Sequence, residues 1–189
     1  MALRMQIGRF SIRLAMRSSP CRFRRDQSGA TAVEFGLLAL PFFALLMAII
    51  QVAMVFFATQ AMETGVLNAS RLIRTGQAQQ QSMSAATFKQ KICDAAGILF
   101  VNCTSNLVLD VRTYSTFGSV DLAPPVDSNG NLITTWTFSP GSGSSIVVVR
   151  AFYEWPVWSK LLSFNLSNLN DGNHLIAAVT AFRNEPFPW

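Results

Sequence analysis

The sequence predicts an α+β protein: a long N-terminal transmembrane helix extending into the periplasm, then a short amphipathic helix and a 3–4-stranded antiparallel sheet. Three observations carry this reading. Glu34 and Glu63 bracket 28 residues with no formal charge. An apolar period of three to four residues then continues to Arg74 and returns over Ala85–Ala96, as in helices with one buried face. Beyond Cys103 the period changes to two, the mark of half-buried strands.

The most apolar part of the uncharged run, Phe35–Ala58, would span roughly 36 Å as a helix, enough to cross a ~30 Å hydrocarbon core with some tilt. It is longer than the apolar core of a cleaved secretory signal, and no small-residue cleavage site follows it closely. Arg24-Arg25 is a poor twin-arginine signal, because Asp26-Gln27-Ser28-Gly29 follows it. Pro41 removes a backbone donor and is expected to kink or loosen the first turns. Gln51 lies mid-span, where an amide favours an interhelical hydrogen bond, with the small residues Ala48 and Ala53 nearby.

Charge sets the orientation. Residues 1–34 hold seven arginines against Asp26 and Glu34, a net +5 that equals the charge of the whole chain. The remainder balances eight basic against eight acidic residues, so nothing in it points to a nucleic-acid partner. Arginines ahead of an apolar segment stay cytoplasmic, which puts the rest of the chain outside the inner membrane. Arg4, Arg9, Arg13 and Arg17 recur around Leu3, Ile7, Phe10 and Leu14. That pattern fits either a plain charged leader or a helix lying on anionic lipid.

Of the three cysteines, Cys21 falls in the leader, whereas Cys93 and Cys103 fall in the outer region. A pair in an oxidising compartment predicts a disulfide, which in the chain-entropy account contributes about 3 kcal/mol. Their spacing fits no zinc pattern, and the single His174 is remote in sequence, so no metal site is expected.

In the outer region, Met62, Val66, Leu67, Ala69, Ser70 and Ile73 extend the first helix, and Gly76 with the run Gln77–Ser82 ends it. Ser84 is the expected N-cap of a second helix, Ala85–Ala96, with Gly97 past its end. Phe88, Ile92, Ala95 and Ala96 should face inward, and Lys89 and Lys91 outward. Strands are expected over Asn106–Phe117, Ile133–Phe138, Ile146–Trp155 and Leu175–Arg183. Between them lie the loop and turn signals Pro124-Pro125, Asp127–Asn131, Ser139–Ser144 and Asp171-Gly172-Asn173. In the third strand Val147, Val149, Ala151, Tyr153 and Trp155 share one face, leaving Arg150 and Glu154 on the other, most simply solvated.

No catalytic constellation is present, and no cofactor is expected. His174 stands alone beside a turn. The Gly141/Gly143 loop lacks the lysine and helix of a phosphate cradle. Trp136, Trp155, Trp158 and Trp189 fit core or interface anchors better than a ligand-stacking surface.

One segment remains. Gly29-Ala30-Thr31-Ala32-Val33-Glu34 sits between the basic leader and the apolar helix, and places one carboxylate at the helix mouth. A glycine followed at that spacing by a glutamate and an apolar helix resembles the processing site of type IV pilin-like proteins. With Ala69–Ala78 and the ending Ala181–Phe187, the chain is most similar to the TadE-like (TadE/TadG) pseudopilins of the tight-adherence (Tad/Flp) pilus system. The resemblance is specific over the membrane part and its extension. In the outer domain it rests on size, cysteine placement and strand order.

The resemblance implies a minor pseudopilin or assembly protein. A prepilin peptidase would cut after Gly29 and leave Ala30 as the new N-terminus. Glu34 would then pair with the free amine of a neighbouring subunit. The implied partners are that peptidase, other minor pilins or pilus subunits, an inner-membrane assembly platform and the lipid bilayer. The expected organisation is a basic cytoplasmic leader at 1–29, a transmembrane helix at 30–59, a periplasmic extension at 60–76 and a periplasmic α+β domain at 77–189. The competing reading is an uncleaved single-span module for periplasmic binding or envelope anchoring.

Overall fold

Eight elements follow one another in the computed structural model, which describes residues 29–123, 125–158 and 166–188. They are α1 (Ala30–Arg74), α2 (Gln77–Gln80), α3 (Ala85–Ala96), α4 (Cys103–Asn106), β1 (Val108–Tyr114), a 3-10 turn (Phe117–Ser119), β2 (Ile146–Trp155) and β3 (His174–Arg183). The leader, with Cys21 and its arginines, lies outside the described residues, as do Pro124 and Trp189. The chain forms two compact units, up to Phe42 and from Phe43.

In the first unit the described residues are Gly29 and the opening turns of α1, with Pro41 carried inside the helix. Its large apolar side chains, Val33, Phe35, Leu37, Leu38, Leu40 and Phe42, are all exposed. Water gives such a surface no reason to persist, whereas lipid or neighbouring helices do.

The second unit is the α+β body. From Ala58 onward α1 turns amphipathic: Ala58, Met62, Gly65, Val66, Ala69 and Ile73 are buried at helical spacing. They meet Phe88, Ile92 and Ala96 of α3 and the inward residues of a three-stranded antiparallel sheet of order β1-β2-β3. Leu109, Val111, Val147, Val149, Ala151, Tyr153, Ile176 and Ala178 are the sheet's contribution to this core. Burying one large aliphatic side chain of this kind contributes about 1.5–3 kcal/mol.

The helix ends follow their chemistry. Arg74 closes α1 because Gly76 takes a left-handed φ of 78°. The following glutamines do not stay extended: Gln77–Gln80 wind into one helical turn that buries Ala78. Ser84 caps α3 by accepting a hydrogen bond from the Thr87 N–H at 3.2 Å, and Gly97 follows the last turn. Ala95, expected inward, is exposed. The helix is seated by Ile92 and Ala96 against Gly65, and Ala95 lies to the side of that line.

Strands β2 and β3 run with Ile146 opposite Arg183 and Trp155 opposite His174. The first strand is shorter than its alternation predicts. Asn102, at a left-handed φ of 49°, opens the helical turn α4 beneath Cys103, and the chain extends only from Val108. At its far end Thr116 and Ser119 cap each other and turn the chain. Ile133–Phe138 is not a strand. Only a bridge between Val111 and Phe138 forms, through Val111 N–H to Thr137 O and Ser139 N–H to Val111 O, both 2.8 Å. Pro140, with no N–H, cannot extend that ladder. The sheet therefore has three strands.

Candidate functional site

Gly29, Ala30 and Glu34 fall within the first turns of α1. Gly29 accepts the first helical hydrogen bond, from the Val33 N–H at 3.2 Å. A Cβ at Gly29 would meet nothing within 4 Å, so no packing among the described residues demands a glycine there. Residues 29–34 are all exposed. Gly29 thus stands exposed immediately before a helix, with neither a left-handed φ nor close packing to explain it. A glutamate four residues into that helix presents its carboxylate outward rather than into the protein.

Gln51 lies further along α1. It is half-buried and shares a stripe with Ala44, Ala48 and Val55, at spacings of three and four residues. Ala53, grouped with Gln51 on sequence proximity, is exposed on another side.

The disulfide joins Cys93 of α3 to Cys103 of α4, with Cα atoms 5.8 Å apart. It closes the loop Gly97–Asn102. Phe100 turns inward from that loop onto Tyr153 and Trp155, with ring centroids 5.0 and 5.9 Å away. The Tyr153 hydroxyl donates to Val101 O at 2.9 Å.

The outer face of the sheet holds a cluster that sequence reasoning missed. Arg150, expected in solvent, is buried. Its Nε and Nη2 donate to Asp110 Oδ2 at 2.9 and 2.6 Å, and its Nη1 donates to Ala123 O at 3.2 Å. Arg112 Nε donates to the other Asp110 oxygen at 2.9 Å. Trp136 lies over both guanidinium groups, 5.3 Å from Arg112 and 5.0 Å from Arg150. The hydrogen bond to Asp110 holds the Arg112 guanidinium above its usual range. The segment between β1 and β2 covers this face, which is why Arg150 is buried. The legible signal was Asp110 and Arg112 two apart on one strand, with Arg150 on the same face of the next.

This cluster offers no chemistry. Its carboxylate is engaged by two guanidinium groups, and none of its members is poised as a nucleophile or base. Glu154, also expected in solvent, is half-buried; burial first, and then Asp171, pushes its carboxyl above the usual range. His174 Nδ1 lies 2.6 Å from Leu166 O. Among the described residues no three His, Cys, Asp or Glu side chains gather as a metal site would need. Trp136 and Trp155 are engaged within the fold, and Trp158 is exposed.

Residues 29–71 match the family model described as TadE-like protein, the family that the sequence resembles. The match begins at Gly29 and runs through Glu34, Gln51 and the buried turns of α1. No match was found among curated proteins or among solved structures.

Proposed function

We propose that this chain, TadE-like over residues 29–71, is a minor pseudopilin or pilus assembly protein of a tight-adherence pilus, acting structurally rather than as an enzyme. One observation carries the reading: Gly29 and Glu34 stand exposed at the opening of a helix long and apolar enough to cross a membrane. A prepilin peptidase cuts after Gly29 and frees the amine of Ala30. Glu34 then offers its carboxylate to the amine of a neighbouring subunit, in surroundings where such a pair is weakly screened. Gln51 and its stripe of small residues supply the helix contacts.

In this reading residues 1–29 are a cytoplasmic leader and 30–59 span the inner membrane. Residues 60–76 continue the helix into the periplasm, and 77–189 form the periplasmic domain. That domain meets other minor pilins or pilus subunits, while the helix engages the assembly platform and the bilayer. The oxidising periplasm suits the disulfide of Cys93 and Cys103. The competing single-span binding module has less support, because two of the tryptophans that would form its ligand surface are engaged within the fold.

N-terminal sequencing of protein from cells with an active prepilin peptidase tests the reading. The expected mature form begins at Ala30, and Gly29→Phe accumulates as the precursor. Recovery of uncut chains alone from the unsubstituted protein would favour the single-span module.

A further inference from the structure

Three strongly exposed apolar side chains of the α+β body, Ile98, Val101 and Trp158, lie on segments that leave α3 and β2 at one end of the body, and the course of the chain shows which end it is. Past β3, Glu185 donates its N–H to Arg74 O at 2.9 Å, and its carboxylate lies 3.8 Å from Arg74 Nε. β3 therefore finishes beside the C-terminal end of α1. A groove lined by Glu63, Val66 and Leu67 with Ala178, Val179 and Thr180 sets the middle of β3 beside the middle of the buried stretch of α1. β3 covers about 30 Å. The helix from Ala58 to Arg74 covers about 24 Å. The start of β3 at His174, and Trp155 opposite it, consequently reach back to the level of Ala58.

The disulfide loop reaches the same end. α3 follows α1 through Thr75–Ser84, which holds the single turn α2, and its later residues Ile92 and Ala96 lie against Gly65, back along α1 from Arg74, as in an antiparallel pair. Gly65 lies where the two helices touch: a Cβ there would be 2.8 Å from Ile92 O and 3.0 Å from Ala96 Cβ. The chain leaves α3 at Gly97 heading towards Ala58. Ile98 is then fully exposed and Val101 is 70% exposed, while Phe100 packs inward against Trp155. Beyond β2 the chain passes Pro156 to Trp158, which is 86% exposed. Neither Gly97–Leu109 nor Trp155–Trp158 contains a charged residue. Below this end α1 continues into the exposed Phe56 and Phe57 of its apolar run.

We propose that Ile98, Val101 and Trp158 enter the headgroup–acyl boundary of the bilayer that α1 crosses, seating the domain on the membrane surface. The inference rests on the single-span reading above. The occupant is lipid because these side chains are exposed at the level of Ala58, where the most apolar part of the spanning helix's uncharged run ends. Tryptophan prefers this boundary, where its ring is partly in lipid and its N–H is hydrated. The disulfide and the inward Phe100 hold Ile98 and Val101 outward in advance, so little ordering remains to be done on contact. The domain is thereby fixed against the membrane by a second attachment besides its helix.

The test uses the full chain reconstituted in vesicles of phosphatidylcholine and phosphatidylglycerol, with or without bromine on the acyl chains. Brominated lipid should quench tryptophan emission, and Trp158→Phe should lower that quenching by about two-fold or more. Ile98→Glu, at a fully exposed side chain, should keep the disulfide and the unfolding transition while also lowering the quenching. Equal quenching in the unsubstituted chain and Trp158→Phe overturns the proposal. So does quenching unchanged by Ile98→Glu, and so does a Trp158 that is shielded only when other pilus proteins are added. Flotation with the vesicles after an alkaline wash reports the spanning helix separately. A chain that floats but shows no Trp158 quenching refutes the seat and leaves the single-span reading intact; a chain stripped by the wash refutes both.

Discussion

Arg150 and Asp110 face each other across β1 and β2, paired in register, with Nη2 2.6 Å from Oδ2 and both side chains almost wholly buried. Two charges withdrawn from water lose strong hydration, so the pair persists because each partner answers the other and the remaining lone pairs are filled by Arg112 and by Thr137 N–H. Removing one partner leaves an uncompensated charge. Asp110→Ala should therefore destabilise the full chain by about 3–5 kcal/mol. Asp110→Leu combined with Arg150→Met should recover a large part of that loss. Denaturant unfolding followed by tryptophan emission measures both; a double variant no better than Asp110→Ala would show that the pair is not the source of the loss.

Gly65 gives a second prediction. Its absent side chain lets α3 approach α1 until backbone and Cβ atoms nearly touch. The obstruction to any larger residue is mainly backbone, which cannot swing away as a side-chain tip would. Gly65→Ala should cost about 1–3 kcal/mol by overpacking, despite alanine's better helix propensity, and Gly65→Leu more. The measurement is the shift of the unfolding midpoint. An unchanged or raised midpoint in Gly65→Ala would mean that the two helices can separate without loss.

These two relationships also mark where the sequence stops being readable. Ile146–Trp155 was legible because its alternation is uninterrupted and Pro156 ends it. The second helix was legible because Ser84 and Gly97 are chemically distinct ends. Periodicity showed that Arg150 points away from the core but not that a long segment returns to cover it; that depends on Trp136 and Ala123, far away in sequence. Ile133–Phe138 has the composition of a strand, yet its backbone bridges β1 at Val111 alone. Nothing in the local pattern marks Gly65, because a helix crossing depends on the partner's backbone. In the candidate site, Gly29 and Glu34 stood out by position between charge and apolarity, a local property. Which partners they meet is a property of other chains, and no pattern within this one encodes it.

Glu154 yields a pH prediction. Burial is the larger cause of its raised pKa, followed by the charge and hydrogen bond of Asp171. The folded state thus holds a proton more tightly than the unfolded state does. As pH rises from the unfolded value through the folded one, the unfolded chain gives up its proton first, and stability falls. Asp127 acts in the opposite sense: its carboxylate, held low by backbone hydrogen bonds from Asn131 and Asn129, adds stability that is lost as pH falls. The difference between unsubstituted chain and Glu154→Gln isolates Glu154. The variant should be more stable at neutral pH, with the gain shrinking towards about pH 4, where both states hold the proton. Unfolding measured at both pH values checks this; a gain that grows on acidification would reverse the assigned sign.

The last prediction separates the two roles given to the start of α1. If Gly29 is read by the peptidase and Glu34 by a neighbouring subunit, the two residues should fail differently. Gly29→Phe blocks cleavage, and the loss of pili follows from the retained leader. Glu34→Ala leaves the bond after Gly29 intact, so mature protein beginning at Ala30 should still form. It removes the carboxylate that meets the new amine, a contact of about 4 kcal/mol at an effective dielectric of 20 and a separation of 4 Å. Assembled pili should then fall by about ten-fold or more, since 1.4 kcal/mol already gives a factor of ten. Glu34→Gln keeps size and polarity but not charge. It should resemble Glu34→Ala if attraction to the amine dominates, and the unsubstituted chain if hydrogen bonding suffices. Immunoblots of the processed form and counts of surface pili measure the two roles independently. Full piliation in Glu34→Ala, with cleavage intact, would remove Glu34 from the assembly mechanism and leave Gly29 as the functional residue of this turn.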